Sequence, residues 1–344
     1  MSVSALTHRK RTAARKPYVA GAAVLAALLA STACGAGSAD TPKGAAAPVA
    51  EASTGEAVAM AGQGAQRMPS RVAALTWNIC GIASACPNRG EGQTEQIEEI
   101  AEIVKADSGY AVVLLQETCA VHSKLLKKKL GKNWVVRHRN GLMMGTKDRT
   151  FPCEAGVAVA MKKLPGSTFV KGPDGRLGWD VTFTRTRGLE HVDGKADRPR
   201  TQYTTQGAAC LQDKGNKILA CSSHFVPGSV KNATKIQNLS LGDLRQTTVD
   251  WQKGGYRTIV GGDFNIDVKA KNLPVVGLKR MSGMYRGNFE ADSGNNGATH
   301  GKRKIDYIFF SDRGWKLRGG GVRKTSGKLS DHRMLTAAVT VRPL

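Results

Sequence analysis

Carboxylates, carboxamides and imidazoles recur in this chain at one kind of place: where an apolar run stops. LTWNICG ends on Asn78, AVVLLQET puts Glu117 after five apolar residues, and ACSSHFVPG puts His224 ahead of a Pro-Gly turn. TIVGGDFNID, from Thr258 to Asp267, carries Asp263 and Asn265 two apart, which in an extended chain points them to one side. RKIDYIFFS sets Asp306 at the mouth of another apolar run, and LSDHRML offers Asp331 beside His332. Hard oxygen donors of this type suit a divalent ion, and an imidazole next to a carboxylate suits proton transfer. Taken singly, each has an ordinary explanation. Asn78 reads as a turn former, Glu117 as a solvated strand end and His224 as a core imidazole. GGDFN is also good Asx-turn chemistry, Asp306 a cap or ion pair, and Asp331-His332 a loop. Gly261 and Gly262 leave room for something bulky to approach the backbone.

In this order, LTWNICG, LLQET, SSHF, GGDFN, KIDYIFFS and LSDHRML resemble the endonuclease/exonuclease/phosphatase superfamily, the deoxyribonuclease-I-like hydrolases. The match runs from Asn78 to His332 and covers the folded part of the chain. GDFN and SDH are short and common alone; six ordered matches are specific. The resemblance implies a four-layer α-β-β-α sandwich, two packed mixed β-sheets flanked by helices, with the site where both sheets present strand ends. It also implies Mg²⁺-dependent phosphoester cleavage, with Mn²⁺ or Ca²⁺ as substitutes. Carried over residue by residue, Glu117 becomes the main metal carboxylate, supported by Asn78, with Asp331 as a further ligand or orienting group. His332 becomes the acid–base group, oriented by Asp306. Asp263 and Asn265 position the attacking water, and His224 bonds a phosphate oxygen or assists the leaving group. Which of Asp263, His224 and His332 takes the water proton stays open. Gly156 in EAGVAVA fits the family's glycine before a strand.

Around these residues the pattern mixes strands and helices, with no repeat. Strands are expected at Val72–Trp77, Tyr110–Leu115, Ala155–Met161, Thr201–Ala209, Ile218–Ser223, Thr258–Val260, Ile305–Phe310 and Met334–Val341. Thr94–Lys105 puts Ile97, Ile100, Ile103 and Val104 on one helical face, and Asn232–Trp251 is the longest helical candidate. His122 falls in a basic helix, HSKLLKKKLGK, and is expected to be solvated. His300, six residues before Asp306, is expected in a loop, with substrate contact as the alternative, and His191 has no nameable partner.

The first seventy residues are not fold. Arg9, Lys10, Arg11, Arg15 and Lys16 precede an apolar run from Tyr18 to Ala30, the layout of a secretion signal over residues 1–39 and too short for a comfortable membrane span. Lipid attachment at Cys34 is the alternative, disfavoured by Ser31. Residues 40–70, rich in Ala, Gly, Ser and Pro, read as a flexible linker, leaving residues 71–344 as the catalytic domain. Of 344 residues 41% are apolar, enough for a sizeable core. The formal charge of +24 falls by the five basic residues of the signal to +19, which attracts polyanions. Beyond Cys34 six cysteines remain, an even number that favours disulfides in an exported chain. Cys210 and Cys221 frame a Gly215-Asn216 hairpin and stand opposite each other. Cys80–Cys86 would close a small loop, and Cys119–Cys153 follows by elimination.

Substrate must be argued from the site's surroundings, because this fold does not choose it. Thr118–Lys147 holds eight basic residues and no acidic one, and Lys302, Arg303 and Lys304 precede Asp306. Such residues would neutralise flanking phosphates, which favours a non-specific nuclease acting on DNA or RNA as a monomer, without a protein partner. A lipid phosphodiesterase or phosphatase, sphingomyelinase-like or phosphoinositide-phosphatase-like, is the alternative. It would take anionic lipid or another polyphosphate, and would be expected to expose an apolar wedge. With aromatics at 6%, only LMMG at Leu142–Gly145 offers one. An inactive polyanion-binding module is the third reading, and the complete residue set argues against it.

Overall fold

The computed structural model describes residues 68–81, 86, 94–141, 153, 155–186, 192–193, 201–202, 207–228, 232–267, 288–291, 297–323 and 329–344. The expected secretion signal, most of the expected linker, His191 and Leu142–Gly145 lie outside them. One six-stranded sheet runs in the order β13 (Trp315–Val322), β14 (Leu335–Val341), β1 (Arg71–Asn78), β2 (Tyr110–Cys119), β4 (Ala155–Lys162), β3 (Trp134–Asn140). The other runs β11 (Asn288–Glu290), β12 (Asp306–Ser311), β10 (Arg257–Asp263), β9 (Ile218–His224), β8 (Gly207–Asp213), β5 (Trp179–Thr182). A separate ribbon pairs β6 (Val192–Asp193) with β7 (Thr201–Gln202). Three helices complete the described elements: α1 (Thr94–Ala106), α2 (Ala120–Leu130) and α3 (Ala233–Lys253).

Alternation along the strands explains the layering. In β1, Val72 and Ala74 face the second sheet and pack with Leu114, Val159, Ala220, Ile259 and Ile308. The intervening Ala73, Leu75 and Trp77 face outward, onto Ile97, Ile100 and Val104 of α1 and Leu126 of α2. In the second sheet Ala208, Cys210, Leu219, Cys221 and Val260 turn the other way and meet Leu241 and Leu244 of α3. Both faces of each sheet are therefore apolar, which is why the strands read as nearly continuous hydrophobic runs. The result is helices, sheet, sheet, helix: the expected four-layer sandwich. Near one edge the inter-sheet layer turns polar. Gln116 Nε2 donates to Ser222 Oγ (3.0 Å) and to Thr76 Oγ1 (3.1 Å), and Ser222 Oγ donates to Leu115 O (2.9 Å). These bonds satisfy buried groups and tie the two sheets together.

Several details differ from the sequence reading. The strand expected to stop at Val260 runs on to Asp263, and Gly261 and Gly262 make room for protein rather than for a ligand. A Cβ on Gly262 (φ 147°) would lie 1.8 Å from Ser223 O, and one on Gly261 would lie 2.8 Å from Leu114 Cδ1 of the facing sheet. The strand expected over Thr201–Ala209 divides between β7 and β8, with residues 203–206 outside the described set. Edge strands β3, β5, β11 and β13 carry too many charges or glycines to stand out by pattern. The three disulfides join Cys80 to Cys86, Cys119 to Cys153 and Cys210 to Cys221, the last pair directly opposite in the β8–β9 ladder.

Candidate active site

Strand direction brings the polar strand ends to one edge. β1 and β2 run parallel and finish there with Asn78 and Glu117, and β9 and β10 run parallel and finish there with His224 and Asp263. β12 is antiparallel to β10 and starts there with Asp306. Asp263 stands opposite His224 on one side and Asp306 on the other, so the three form a row across adjacent strands. His332 lies just before β14, where its backbone carbonyl accepts the Trp77 indole N–H (2.9 Å). Its N–H donates to Ser330 Oγ (3.0 Å), and that hydroxyl donates to Asn78 O (2.7 Å). Ser330 and Trp77 thus fix the His332 backbone to the end of β1.

Glu117 reaches the site through a bulge. Simple alternation would send it outward with Val113 and Leu115. The β2–β4 register skips it, since Gln116 pairs with Val157 and Thr118 with Gly156, and its φ is 52°. An extra residue of this kind bends the strand and re-aims the side chain, at some cost in backbone strain. Gly156 is required opposite, because a Cβ there would lie 1.8 Å from Arg139 O.

The re-aimed Glu117 Oε1 accepts from Asn78 Nδ2 (3.1 Å), which also donates to Asp263 Oδ2 (3.1 Å). Asn78 Oδ1 accepts the Cys80 N–H (2.9 Å). Asp263 Oδ1 accepts the Asn265 N–H (2.8 Å), the Asx turn that GGDFN suggests, with Asn265 at φ 52°. Asp263 Oδ2 lies 3.4 Å from His224 Nε2 and 3.7 Å from His332 Nε2. Asn265 Nδ2 is 3.2 Å from His224 Nε2, but its hydrogens point to Phe225 O (3.0 Å) and Asp263 Oδ2 (3.3 Å), so the His224 proton is directed at Asp263. His332 Nδ1 bonds Asp306 Oδ2 at 2.8 Å, and Asp306 N donates to Thr299 Oγ1 (3.1 Å).

This packing sets the charges. Burial opposes a charge on His332, but Asp306 and Asp263 outweigh it and push the imidazole up to about 10. Burial likewise opposes ionisation of Asp263, and the two imidazoles outweigh it, holding the carboxyl at about 2. His224 is raised as well, its burial overcome by Asp263 and Glu117. Burial pushes Asp306 up. At neutral pH the centre holds an ionised carboxylate, Asp263, facing the imidazolium of His332 on one side and the ring N–H of His224, itself raised, on the other.

The family model for the endonuclease/exonuclease/phosphatase family matches residues 75–332, an interval that holds the whole cluster. The chain belongs to this family. As a member it is a phosphoesterase, of a family that is generally dependent on a divalent metal. Among solved structures, the human Nocturnin catalytic domain with a bound sulfate anion superposes at TM-score 0.56 and 15% identity, covering 79% of this chain and 95% of that one. A family protein from Bacteroides thetaiotaomicron gives 0.52 at 16% identity, covering 81% and 100%. A humanized D. rerio TDP2 gives 0.52 at 15%, covering 79% and 100%. No curated protein matches. At such identities these structures attest the fold.

The family's divalent ion fits one place well. Glu117 Oε2 is buried and has no hydrogen-bond partner, while Oε1 is steered by Asn78. A hard carboxylate oxygen left bare in a buried position is suited to a cation. Asn78, expected among the ligands, spends Oδ1 on Cys80 and turns Nδ2 to the carboxylates, so here it orients Glu117. Asp331 is 40% exposed in its side chain and faces His300 Nε2 at 3.3 Å. Asp263, Asp306 and His332 also offer closely spaced ligand atoms, but His332 holds a proton there.

Three histidine and lysine expectations need correction. His122 is buried, not solvated: its Nδ1 accepts the Cys119 N–H (3.1 Å) at the start of α2. His300 is more than a loop residue, since its ring lies 4.6 Å from that of His332. Lys304, expected to face substrate, is 3% exposed, with Nζ on Glu290 Oε1 (3.1 Å) and over the Tyr307 ring. Lys302 is exposed, and Arg303 Nη2 donates to His300 Nδ1 (2.9 Å). Thr299 and Ser330 were not singled out by the sequence; Ser330's partner Asn78 lies far away in the chain, and Thr299 acts through the backbone of Asp306.

Proposed function

We propose that this chain is an exported, Mg²⁺-dependent phosphodiesterase that cuts nucleic acid. The observation that carries the chemistry is Asp263, ionised between the imidazoles of His224 and His332 and beside the bare oxygen of Glu117. Glu117 would hold the ion, which when bound supplies Lewis-acid polarisation of the phosphoryl group. His332 holds its proton and His224 directs its ring N–H at Asp263, so Asp263 is the group that orients the water and takes its proton. Asn265 N–H and Asn78 Nδ2 hold the two Asp263 oxygens in place for that task. The water oxygen bonds phosphorus, the bond to the leaving oxygen breaks, and an imidazolium N–H supplies that oxygen's proton. His332 and His224 also donate to the phosphoryl oxygens as charge builds on them, and Asp306 keeps His332 protonated and aimed.

Nucleic acid is favoured over lipid by two features. The chain is strongly basic. Among the described residues, the exposed large apolar side chains are Val121 and Leu344, which form no wedge for a bilayer. Export is supported by the N-terminal basic and apolar segment and by three disulfides, which persist in oxidising surroundings. No described helix is long and apolar enough to cross a membrane.

The test is supercoiled plasmid or structured RNA incubated with the disulfide-intact protein at low salt, with Mg²⁺ or with chelator, beside Asp263→Asn. Cleavage that needs the metal and drops by about 10²–10⁴-fold in the variant is expected. Intact plasmid and RNA beside turnover of sphingomyelin or a phosphoinositide would sink the nuclease reading.

A further inference from the structure

A cavity of about 710 Å³ lies beside the catalytic edge, between α2, the edge strand β3 and the segment around Arg176 to Asp180. None of the residues that line it belongs to the catalytic cluster. Its near end is tied to the site by the sheet itself. Thr118 pairs with Gly156, and Gly156 pairs with Asn140, which lines the cavity, as does Ala120. Two strand spacings put Asn140 about 10 Å from Thr118, the residue after Glu117.

The lining has one dominant sign. Lys124, Lys127, Lys163, Arg176 and His138 converge on it. Arg137 lines it too, but Asp174 and Asp180 neutralise it at 2.8 Å and 2.9 Å, and Asp174 also takes Arg176. The three lysines have no carboxylate partner among the described residues. Lys127 Nζ donates only to the carbonyls of Gly131 and Trp134, and Lys124 and Lys163 are exposed. Burial lowers Lys127, and the positive charge of Lys163 nearby lowers it further, so these ammonium groups repel one another. Trp134, Val136 and Leu177 give the same cavity an apolar wall. A concave site with an apolar wall and uncompensated ammonium groups selects an anion attached to a flat or apolar body.

We propose that this cavity is a nucleotide subsite: it takes a phosphate, with its attached nucleoside, further along the strand whose scissile phosphate sits at Glu117. This rests on the nucleic-acid reading above. Lys127, bonded to the carbonyl of Trp134, and Lys163 stand at the far end of β3 and β4, about 20 Å along the strands from Asn140 and Gly156, so at about 3.4 Å of axial rise per phosphate the separation corresponds to roughly six to seven nucleotides. Lys124, Lys127 and Lys163 hold the phosphate, and the apolar wall receives the base. The site therefore requires a polymer rather than a small ester, and its grip weakens with salt.

Lys124→Glu/Lys163→Glu, both exposed positions outside the catalytic cluster, tests this in the full chain, with Lys124→Gln/Lys163→Gln as the milder partner. Binding of a labelled single-stranded oligonucleotide is measured in chelator, across a salt series. Hydrolysis of a small chromogenic phosphodiester is measured with Mg²⁺. The expected result is about tenfold weaker oligonucleotide binding for the double Glu variant and a salt slope reduced by roughly 0.7 per lost phosphate contact. Small-ester turnover and melting temperature stay as in the parent. Unchanged oligonucleotide binding overturns the proposal. Equal loss of small-ester turnover also overturns it, since the lysines would then act at the catalytic centre. Loss of binding to phosphatidylglycerol vesicles with oligonucleotide binding intact overturns it in favour of a lipid headgroup. A parent protein that binds oligonucleotide through these lysines yet cuts none leaves the subsite standing and refutes the nuclease reading instead.

Discussion

Replacing Asp306 with Asn separates the charge of His332 from its position. Asp306 Oδ2 accepts the Nδ1–H of His332 at 2.8 Å in a fully buried setting, and an Asn carbonyl can accept the same bond without its negative charge. In the parent, His332 is pushed up to about 10, so at pH 8 it is almost wholly protonated. Burial and Asp263 remain in the variant while the larger favourable charge is gone, which lowers the imidazole toward its ordinary value near 6.5. At pH 8 an imidazole that falls all the way to ~6.5 is about 3% protonated, so turnover falls by up to about 30-fold from population alone. The sign is fixed by the direction of the shift. A raised imidazole is active below its pKa and loses its proton as pH rises through it. The alkaline limb of kcat therefore moves from about 10 in the parent toward neutrality in the variant. At pH 6 the variant recovers to within a few-fold. The assay is metal-saturated hydrolysis of a phosphodiester from pH 5 to 10.5, with a melting curve at each end to show both proteins folded. An alkaline limb still at about 10 in the variant, or a loss equal at every pH, would refute the reasoning that Asp306 acts through the His332 proton.

Two other outcomes follow from the same geometry. Glu117→Gln keeps the bond from Asn78 but removes the bare anionic oxygen; Mg²⁺ affinity, read by titrating activity with the ion, falls more than about 100-fold, beyond the loss typical of an outer-shell change. Cys119→Ser/Cys153→Ser opens a loop with a separation of 34 residues beside the Glu117 bulge; a loss of about 3–4 kcal/mol in denaturant unfolding is expected, together with reduced activity, and unchanged activity would show that the bulge holds without its staple.

The sequence alone determined which side chains stand at strand ends and roughly where the strands lie, because both signals are local. An apolar run fixes a strand, and its last polar residue marks an edge, as for Asn78, His224, Asp263 and Asp306. The Gly215-Asn216 turn fixes a register, and that register sets Cys210 against Cys221. Tertiary structure decided the rest. Alternation along β2 turns Glu117 away from the site, and only the bulge opposite Gly156 brings it back; no local pattern announces a positive φ at a glutamate. His122 read as solvated and Lys304 as facing substrate because their runs are basic, yet His122 binds the Cys119 N–H and Lys304 binds Glu290 after folding. His300 gained a role when a bridge laid it beside His332, thirty-odd residues away in the chain. The basic cavity exists for the same reason: Lys124 and Lys127 lie on α2 and Lys163 just after β4, and only the packing of α2 against the β3 edge gathers their charge into one place.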